Sequence, residues 1–420
     1  MFQRHSIPGL LQSLSARPVV LLNGARQTGK STLVQGLRSQ GYEARYVSLD
    51  HLQVLSAAKT DPEGFIAAFD GSVVIDEIQH APELLLPIKA SVDRDRRPGR
   101  FLLTGSANIF LLPRLSDTLA GRMAIHTLWP LSQGEIEGQA EGFVDAVFHD
   151  GKWSPPEMKT GRAASDMIRR ALTGGYPEAV ASPPDGRRTD WFEDYLTTLV
   201  QKDVREISNV EALSEMPRLL ALLASRAGGL LNYADVSRGM GIPQTTLKRY
   251  MALLEAAFLL CPLPAWSGSI GRRMVRSRKV YLNDSGLLAH LLRLNGERLA
   301  QDPGLTGLLL ENFAVQELRK QSAWSRTRPA LLHFRTHDGS EVDVVLEDQA
   351  GRIVGVEIKA ASKVDPGDLR GMNALADATG KRFVRGVVLY GGTTTLPFGK
   401  NIHLVPIDSL WRPWGAPTRR

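Results

Sequence analysis

One stretch near the start of the chain combines residue types and a spacing that suit phosphate binding. It matches the pattern G-x-x-x-x-G-K-[ST] and reads Gly24-Ala25-Arg26-Gln27-Thr28-Gly29-Lys30-Ser31. Glycines let such a loop curl so that its backbone N–H groups face a phosphate. We expect Lys30 to reach the β- and γ-phosphates and Ser31 to bind Mg²⁺, with Thr32 completing the nucleotide contacts. The stretch therefore predicts a site for ATP and Mg²⁺.

Two acidic residues follow a later apolar run and complement this loop. Asp76 and Glu77 end residues 72–77, which read Ser-Val-Val-Ile-Asp-Glu, the form of a Walker B strand. We expect Asp76 to hold Mg²⁺, mostly through water, and Glu77 to orient or deprotonate the attacking water. The alternative is a strand that ends in a solvated acidic turn. The presence of the phosphate loop in the same sequence disfavours this alternative.

Two further parts of the sequence contain residues whose chemistry suits a role in ATP hydrolysis. Thr104, Ser106 and Asn108 end the next apolar run and compete for contact with the γ-phosphate or the lytic water. We favour Ser106, although capping of a helix by Ser106 is an equally good interpretation. Arg122 has the charge of an arginine finger, acting in cis or from a neighbouring subunit. On spacing alone, a surface arginine at the start of a strand explains Arg122 equally well.

A second candidate centre lies in the last third of the chain. Residues 341–346 and 353–359 alternate polar and apolar side chains, so adjacent antiparallel strands would bring Asp343, Glu357 and Lys359 together. Carboxylates in such a site bind Mg²⁺, and the lysine positions or activates a water molecule. A solvated hairpin with a salt bridge between Glu357 and Lys359 is the alternative.

The elements that must position the phosphate loop follow an alternating pattern. The apolar residues 18–22 predict a strand before the loop, and residues 31–37 can continue as a helix. Strand and helix patterns alternate over residues 1–132, which is typical of a parallel α/β sheet. In such sheets ligands bind at the carboxyl ends of the strands, where both the loop and the acidic pair belong.

The middle of the chain predicts helices. Residues 133–210 form a helical connector with a variable insertion, and residues 211–289 have the pattern of a helix-turn-helix followed by a β-wing. The second helix of the motif, residues 244–254, would expose four polar side chains to DNA. These are Gln244, Thr245, Lys248 and Arg249.

The expected wing joins residues 258–260 to residues 279–282. Its connecting segment 271–279 carries five positive charges, which suit a DNA backbone. A wing that packs between domains, with solvated arginines, is the alternative interpretation.

Composition limits the class of protein. The 420 residues suffice for two to four domains, and a net charge of +7 permits binding to nucleic acid. The single cysteine, Cys261, excludes an internal disulfide framework and a cysteine-based zinc cluster. Because no secretory signal and no long apolar run are evident, we expect a cytoplasmic protein without a membrane partner.

Four motifs together resemble a known family. They are the phosphate loop, residues 74–79 (Val-Ile-Asp-Glu-Ile-Gln), residues 103–106 (Leu-Thr-Gly-Ser) and residues 119–122 (Leu-Ala-Gly-Arg). They are similar to the AAA-type ATPase domain of a large bacterial and archaeal family whose C-terminal half is a domain of unknown function. The resemblance implies an ATPase with strand order 5-1-4-3-2.

The C-terminal residues resemble another family. An acid, a spacer of hairpin length and then Glu-x-Lys are similar to the PD-(D/E)XK nuclease core, and Glu311 matches its helical acid. Val342 departs from the pattern, which has proline before the acid. The resemblance implies a restriction-endonuclease-like α/β domain over residues 290–420, with Glu311, Asp343 and Glu357 as metal ligands and Lys359 as the catalytic lysine.

Two functions remain open at this point. One is a Mg²⁺-dependent ATPase that acts on DNA, with a nuclease-like site that would cleave it. The other is a nucleotide-dependent regulatory or defence switch whose C-terminal domain is inactive and binds DNA or a partner. Either protein could assemble as a homo-oligomer.

Overall fold

The computed structural model describes residues 2–106, 119–149, 153, 164–183, 186–199, 215–269, 271, 273 and 277–414. A parallel sheet forms the first part of the molecule. Its strands are β1 (Val19–Asn23), β2 (Arg45–Ser48), β3 (Val73–Asp76), β4 (Phe101–Gly105) and β5 (Met123–Thr127). The helices around it are α1 (Ile7–Ala16), α2 (Lys30–Gly36), α3 (Leu52–Thr60), α4 (Pro62–Ala67) and α5 (Leu85–Arg94).

The strand order is β2-β3-β4-β1-β5, which confirms the expected order 5-1-4-3-2. Strands β1, β3 and β4 are buried along their whole length, as the central strands of a parallel sheet require. Alternate residues of β1 enter separate cores: Val19 and Leu21 pack on one face of the sheet, and Val20 and Leu22 on the other. The sheet therefore has helices on both faces.

Short helices form the middle of the chain. The first five are α6 (Gln133–Glu137), α7 (Phe143–Ala146), α8 (Ala164–Thr173), α9 (Pro177–Ala181) and α10 (Arg187–Leu199). The next three are α11 (Met216–Ala224), α12 (Tyr233–Met240) and α13 (Gln244–Ala256).

Helices α12 and α13, joined by a short turn, lie where the helix-turn-helix was expected. Asn232 caps α12 through its side-chain oxygen, which accepts hydrogen bonds from two backbone N–H groups of the first turn. Gly241, with a φ of +69°, ends α12, and α13 begins directly after Pro243. The four polar side chains expected on the surface of α13 are exposed.

Isolated β-bridges stand where the wing was expected. Residues 277–283, which we call the bridge segment, pair antiparallel with three residues, Leu230, Leu260 and Leu263. Cys261 beside them is buried, and burial raises the pKa of its thiol to about 11. The winged-helix assignment stays an interpretation of this arrangement.

The C-terminal part has a mixed sheet. Helices α14 (Ser285–Leu291), α15 (Gly296–Gln301) and α16 (Pro303–Trp324) precede it. Its strands are β6 (Ala330–Arg335), β7 (Glu341–Glu347), β8 (Ile353–Lys359), β9 (Phe383–Tyr390), β10 (Leu396–Gly399) and β11 (Ile402–Pro406), with α17 (Arg370–Thr379) between β8 and β9. The sheet order is β10-β11-β9-β8-β7-β6.

Pairing within this sheet changes from antiparallel to parallel. Strands β6, β7 and β8 are antiparallel neighbours, whereas β9 runs parallel to β8. Gly371 at the start of α17 allows the helix to approach β7, since a Cβ there would lie 1.8 Å from the Glu341 carbonyl oxygen.

Helix α16 is buried over most of its length after Leu308. Nearly all residues from 309 to 322 are buried, including the polar residues Asn312, Gln316, Glu317 and Lys320. It contacts α8 of the middle region, the neighbouring helix α14 and strand β8. Hydrophobic core residues therefore surround it on several sides. Among the described residues, no helix has both the length and the apolar character needed to cross a membrane.

Candidate functional site

The phosphate loop connects β1 to α2 at the carboxyl edge of the parallel sheet. Gly24 has a φ of +149°, and a Cβ there would lie 2.3 Å from the Leu128 carbonyl oxygen, so only glycine fits. The Lys30 side chain is buried inside the loop. Its ammonium donates hydrogen bonds to the carbonyl oxygens of Gly24 at 3.0 Å and Ala25 at 3.1 Å. Neutral carbonyls thus hold the lysine at the place where phosphates are expected.

Asp76 ends β3 beside the loop and is fixed by two hydroxyl groups. The Tyr46 hydroxyl donates to Oδ2 at 2.5 Å, and the Thr104 hydroxyl donates to Oδ1. Burial and this hydrogen bond raise the pKa of Tyr46 to about 12, so the tyrosine remains a donor at neutral pH. The two donors orient a carboxylate that is itself almost completely buried.

Glu77 adopts a left-handed backbone conformation, with a φ of +59°, directly after β3. Its N–H donates to Thr104 Oγ1 at 3.0 Å, and its carboxylate accepts from Gln79 Nε2 at 2.6 Å. The same Gln79 nitrogen donates to Ser106 Oγ at 2.9 Å. A non-glycine residue in this conformation is uncommon and indicates that the surroundings hold it there.

The three residues at the end of β4 that are candidates for contact with the γ-phosphate or the lytic water differ in their positions. Thr104 contacts both acids, whereas Ser106 reaches Glu77 only through Gln79. Asn108 lies outside the described residues. The preference for Ser106 stays a prediction, but Thr104 has the more direct link to the acidic pair.

Arg122 lies at the opposite edge of the sheet. It precedes β5, whose first residue Met123 pairs with Val19 at the amino end of β1. Its guanidinium pairs with Asp93 of the same chain at 2.5 Å. The phosphate loop follows the other end of β1, so this conformation does not support the in cis alternative, and the role of Arg122 stays a prediction.

Sequence reasoning missed a residue that touches the loop from outside the parallel sheet. Arg4 is buried and donates to the carbonyl oxygen of Thr28 at 2.8 Å and to that of Trp129 at 2.5 Å. It also pairs with Glu135 at 3.2 Å. No motif surrounds Arg4, so no sequence signal marked it, whereas Gln79 stood inside the quoted 74–79 motif.

The expected register in the C-terminal sheet is confirmed. Val344 pairs with Val356 across β7 and β8, which places Asp343 opposite Glu357. The Lys359 ammonium lies 3.2 Å from Glu357 Oε1. Burial and the charge of Asp343 raise the pKa of Glu357 well above its usual range. These strands therefore bring the three residues together, as their alternation predicted.

An additional lysine lies among these carboxylates. Lys279 Nζ is 3.0 Å from Asp343 Oδ1, 3.2 Å from Glu311 Oε1 and 3.7 Å from Glu341 Oε1. Burial lowers the pKa of Lys279, but the three carboxylates outweigh this effect and raise it. Within the described residues, no group of histidine, cysteine, aspartate and glutamate has a geometry that could hold a metal ion. The roles of Glu311, Asp343 and Glu357 as metal ligands therefore stay predictions.

The basic segment 271–279, which was expected to connect the strands of the wing, is not a free DNA-binding surface at the positions that the structure describes. Arg273 forms two hydrogen bonds with Glu347, at 2.5 and 3.1 Å, and stacks over Trp266. Lys279 is buried. Arg272 and Arg276 lie outside the described residues. For Arg273 and Lys279, the structure favours packing between domains over contact with DNA.

Comparisons with known protein families match three separate parts of the chain. An AAA domain matches residues 16–137, a domain of unknown function (DUF8612) residues 164–298, and another (DUF4143) residues 306–410. The Mycobacterium tuberculosis protein named "Uncharacterized protein Rv2008c" is 31% identical over 412 residues, covering 97% of this chain and 84% of the relative. The chain belongs to the same family as this mycobacterial protein.

Another relative and two solved structures are more distant. An uncharacterized Haemophilus influenzae protein is 22% identical over 74% of this chain and 77% of its own. The Thermotoga maritima RuvB Holliday junction branch migration motor (19% identity, TM-score 0.30) covers 63% of this chain and 90% of its own. AMPPCP-bound DnaA from Aquifex aeolicus (12% identity, TM-score 0.29) covers 59% and 85%. At these TM-scores neither structure supports an argument about this chain.

In this family the first part of the chain is an AAA-type P-loop ATPase domain. The residues present fit a nucleotide, because the glycine at position 24 closes the loop around Lys30 where any side chain would collide. Ser31 and Asp76 offer the oxygen ligands that Mg²⁺ prefers. When bound, Mg²⁺ would neutralise charge on the phosphates.

Proposed function

We propose that this protein binds ATP with Mg²⁺ at the phosphate loop and hydrolyses it. One observation carries the proposal: the buried Lys30 ammonium donates to carbonyl oxygens of its own loop, at the same edge of the sheet as the acidic pair that ends β3. Lys30 supplies positive charge to the phosphates, and Ser31 and Asp76 hold the metal. Glu77 acts as the base or the orienting group for water.

Glu77→Gln tests this assignment. The amide keeps the shape of the side chain and its contact with Gln79 but cannot accept a proton, so ATP should bind normally while turnover falls about 10²–10⁴-fold. Nucleotide binding is measured with a fluorescent ATP analogue and turnover by phosphate release. Glu83→Gln in the same domain is the control and should behave as wild type. Unchanged turnover in the Glu77 variant would remove the proposed base.

A second candidate function, DNA binding, has support from α13. Gln244, Thr245, Lys248 and Arg249 are exposed together on the helix that follows the turn, and the chain has a net charge of +7. We propose that this surface contacts duplex DNA and that the nucleotide state of the ATPase domain changes its affinity. The hairpin arginine Arg273 is not part of this surface because Glu347 binds it.

Charge reversal on α13 tests the DNA proposal. Lys248→Glu with Arg249→Glu should weaken binding and reduce the slope of log affinity against log salt by about 2, because two fewer counterions are released. Lys59→Glu, an exposed position on α3, is the matched control. A salt slope equal to that of wild type would leave the nucleotide-dependent switch, with a partner other than DNA, as the function of this region.

Metal-dependent cleavage is not part of the proposed function. A nuclease reaction of this class needs a divalent cation between the carboxylates. Here Lys279 Nζ lies between Glu311 and Asp343, within 3.2 Å of both. Its position supports the alternative in which the C-terminal domain binds without cleaving.

A further inference from the structure

The backbone of Lys279 lies in the middle region of the chain, whereas its side chain reaches into the C-terminal domain. Its backbone lies in the bridge segment, where its N–H and carbonyl both bond to Leu263, at 3.0 and 2.9 Å. Its side chain extends into the C-terminal core and is 2% exposed there. The ammonium then contacts carboxylates from two elements, Glu311 of α16 and Asp343 and Glu341 of β7.

Two of these carboxylates also accept hydrogen bonds from other groups of the protein. The Tyr281 hydroxyl donates to Glu311 Oε1 at 2.7 Å. The backbone N–H of Ile358 donates to Asp343 Oδ2 at 2.9 Å. Lys279 is therefore one member of a built set of contacts, and the bridge segment supplies both the ammonium and the tyrosine.

Electrostatics explains why a cation must be present at this place. Carboxylates that approach one another in a buried site repel unless a positive charge lies between them. An ammonium has three N–H donors, which is the number needed for three carboxylate partners. A divalent ion would use the same oxygens, at shorter distances. The two cations therefore compete for one position.

We propose that the Lys279 ammonium is the resident cation of this acidic centre and occupies it in place of a divalent metal ion. In this role it also fixes the bridge segment on the C-terminal core. The centre does not bind Mg²⁺ or Mn²⁺ while Lys279 is present, and loss of the lysine charge opens a site for a divalent ion.

Lys279→Met in the full-length protein tests the proposal, because methionine keeps most of the length and removes the charge. Thermal unfolding is followed without nucleotide, with and without millimolar Mn²⁺. We expect wild type to show no Mn²⁺-dependent shift of Tm. The variant should unfold roughly 5–10 °C earlier and should regain several degrees when Mn²⁺ replaces the missing charge.

Lys320→Met is a matched control. Lys320 is also buried and pairs with a buried acid, Glu317, at 2.7 Å. It also donates to the Leu131 carbonyl oxygen at 2.9 Å, and Glu317 is the carboxylate with which it forms a close ion pair. This variant should also lose stability, but Mn²⁺ should restore none of it.

Two results would overturn the proposal. One is a Mn²⁺-dependent Tm increase in wild type that Asp343→Asn abolishes, because the centre would then hold a metal beside the lysine. The other is a Lys279→Met variant that Mn²⁺ stabilises no more than it stabilises Lys320→Met. If Lys279→Met does not fold, Lys279→Met with Asp343→Asn decides: regained folding supports the proposal, and continued failure to fold contradicts it.

Discussion

Two buried lysines, Lys30 and Lys279, lie in different surroundings. Lys30 is held by the carbonyl oxygens of Gly24 and Ala25, which carry no net charge. Lys279 is held by carboxylates, the nearest of them Asp343 at 3.0 Å. Lys30 lies in a loop whose form suits a phosphate, whereas the charge of Lys279 is balanced by carboxylates inside the fold. A lysine beside acidic residues therefore does not by itself indicate a catalytic site.

The largest expected difference between variants of the two lysines is in ATP turnover. Lys30→Ala should lower ATP turnover by at least about 10²–10³-fold and abolish tight nucleotide binding, because the phosphates lose their compensating charge. Lys279→Met should keep turnover per folded molecule within about two-fold while its Tm falls. Phosphate release and thermal unfolding are measured on both variants. An equal loss of ATP turnover in both variants would contradict the different roles of Lys30 and Lys279.

A smaller effect is expected at Thr104, which supports both acids of the ATPase site. Thr104→Val keeps the shape but removes the donor to Asp76 and the acceptor for the Glu77 N–H, so apparent Mg²⁺ affinity should fall about 10–100-fold. Turnover is measured against Mg²⁺ concentration at saturating ATP. Thr127→Val is the control, since the Thr127 hydroxyl donates to the Asn23 side chain and not to Asp76. A Mg²⁺ profile equal to that of the control would contradict this role.

Arg4 should affect nucleotide binding more than the chemical step. Arg4→Met removes the donor to the Thr28 carbonyl, and we expect the KM for ATP to rise about ten-fold with kcat changed less. Arg4→Lys should recover part of the loss. Arg17→Met, at an exposed position after α1, should have no effect. A fall in kcat with KM unchanged would assign Arg4 a different role.

The smallest effect is expected for Arg122→Ala. Because Arg122 lies at the amino edge of the sheet and pairs with Asp93, turnover in dilute solution should change less than about two-fold. A larger loss that grows with protein concentration would identify a finger supplied by a neighbouring subunit. A large loss at every concentration would contradict the placement of Arg122 away from the phosphate loop.

Features with local causes could be predicted from the sequence. The phosphate loop follows from its glycines and lysine, and the pairing of Asp343 with Glu357 follows from the two-residue period of adjacent strands. The strand order came from the resemblance, and the structure confirms it. These predictions depend on neighbours in the chain or on a whole motif.

Features with distant causes could not be predicted. Lys279 stood in a run of basic residues, and only the packing of the bridge segment on α16 and β7 shows that its charge points inward. Arg4 is 24 residues from Thr28, and nothing in its sequence neighbourhood marks the contact. The burial of helix α16 is a further case, because the periodicity of one segment cannot show how many elements surround it.

The position of Lys279 outside residues 290–420 matters for anyone who expresses the C-terminal domain alone. A fragment that begins at residue 290 retains Glu311, Asp343 and Glu357 but lacks both Lys279 and Tyr281. The fragment would then lack the ammonium that lies among Glu311, Glu341 and Asp343, and these carboxylates would attract metal ions from the buffer. Metal binding or weak cleavage by such a fragment would report a property created by the truncation, which the intact chain does not have.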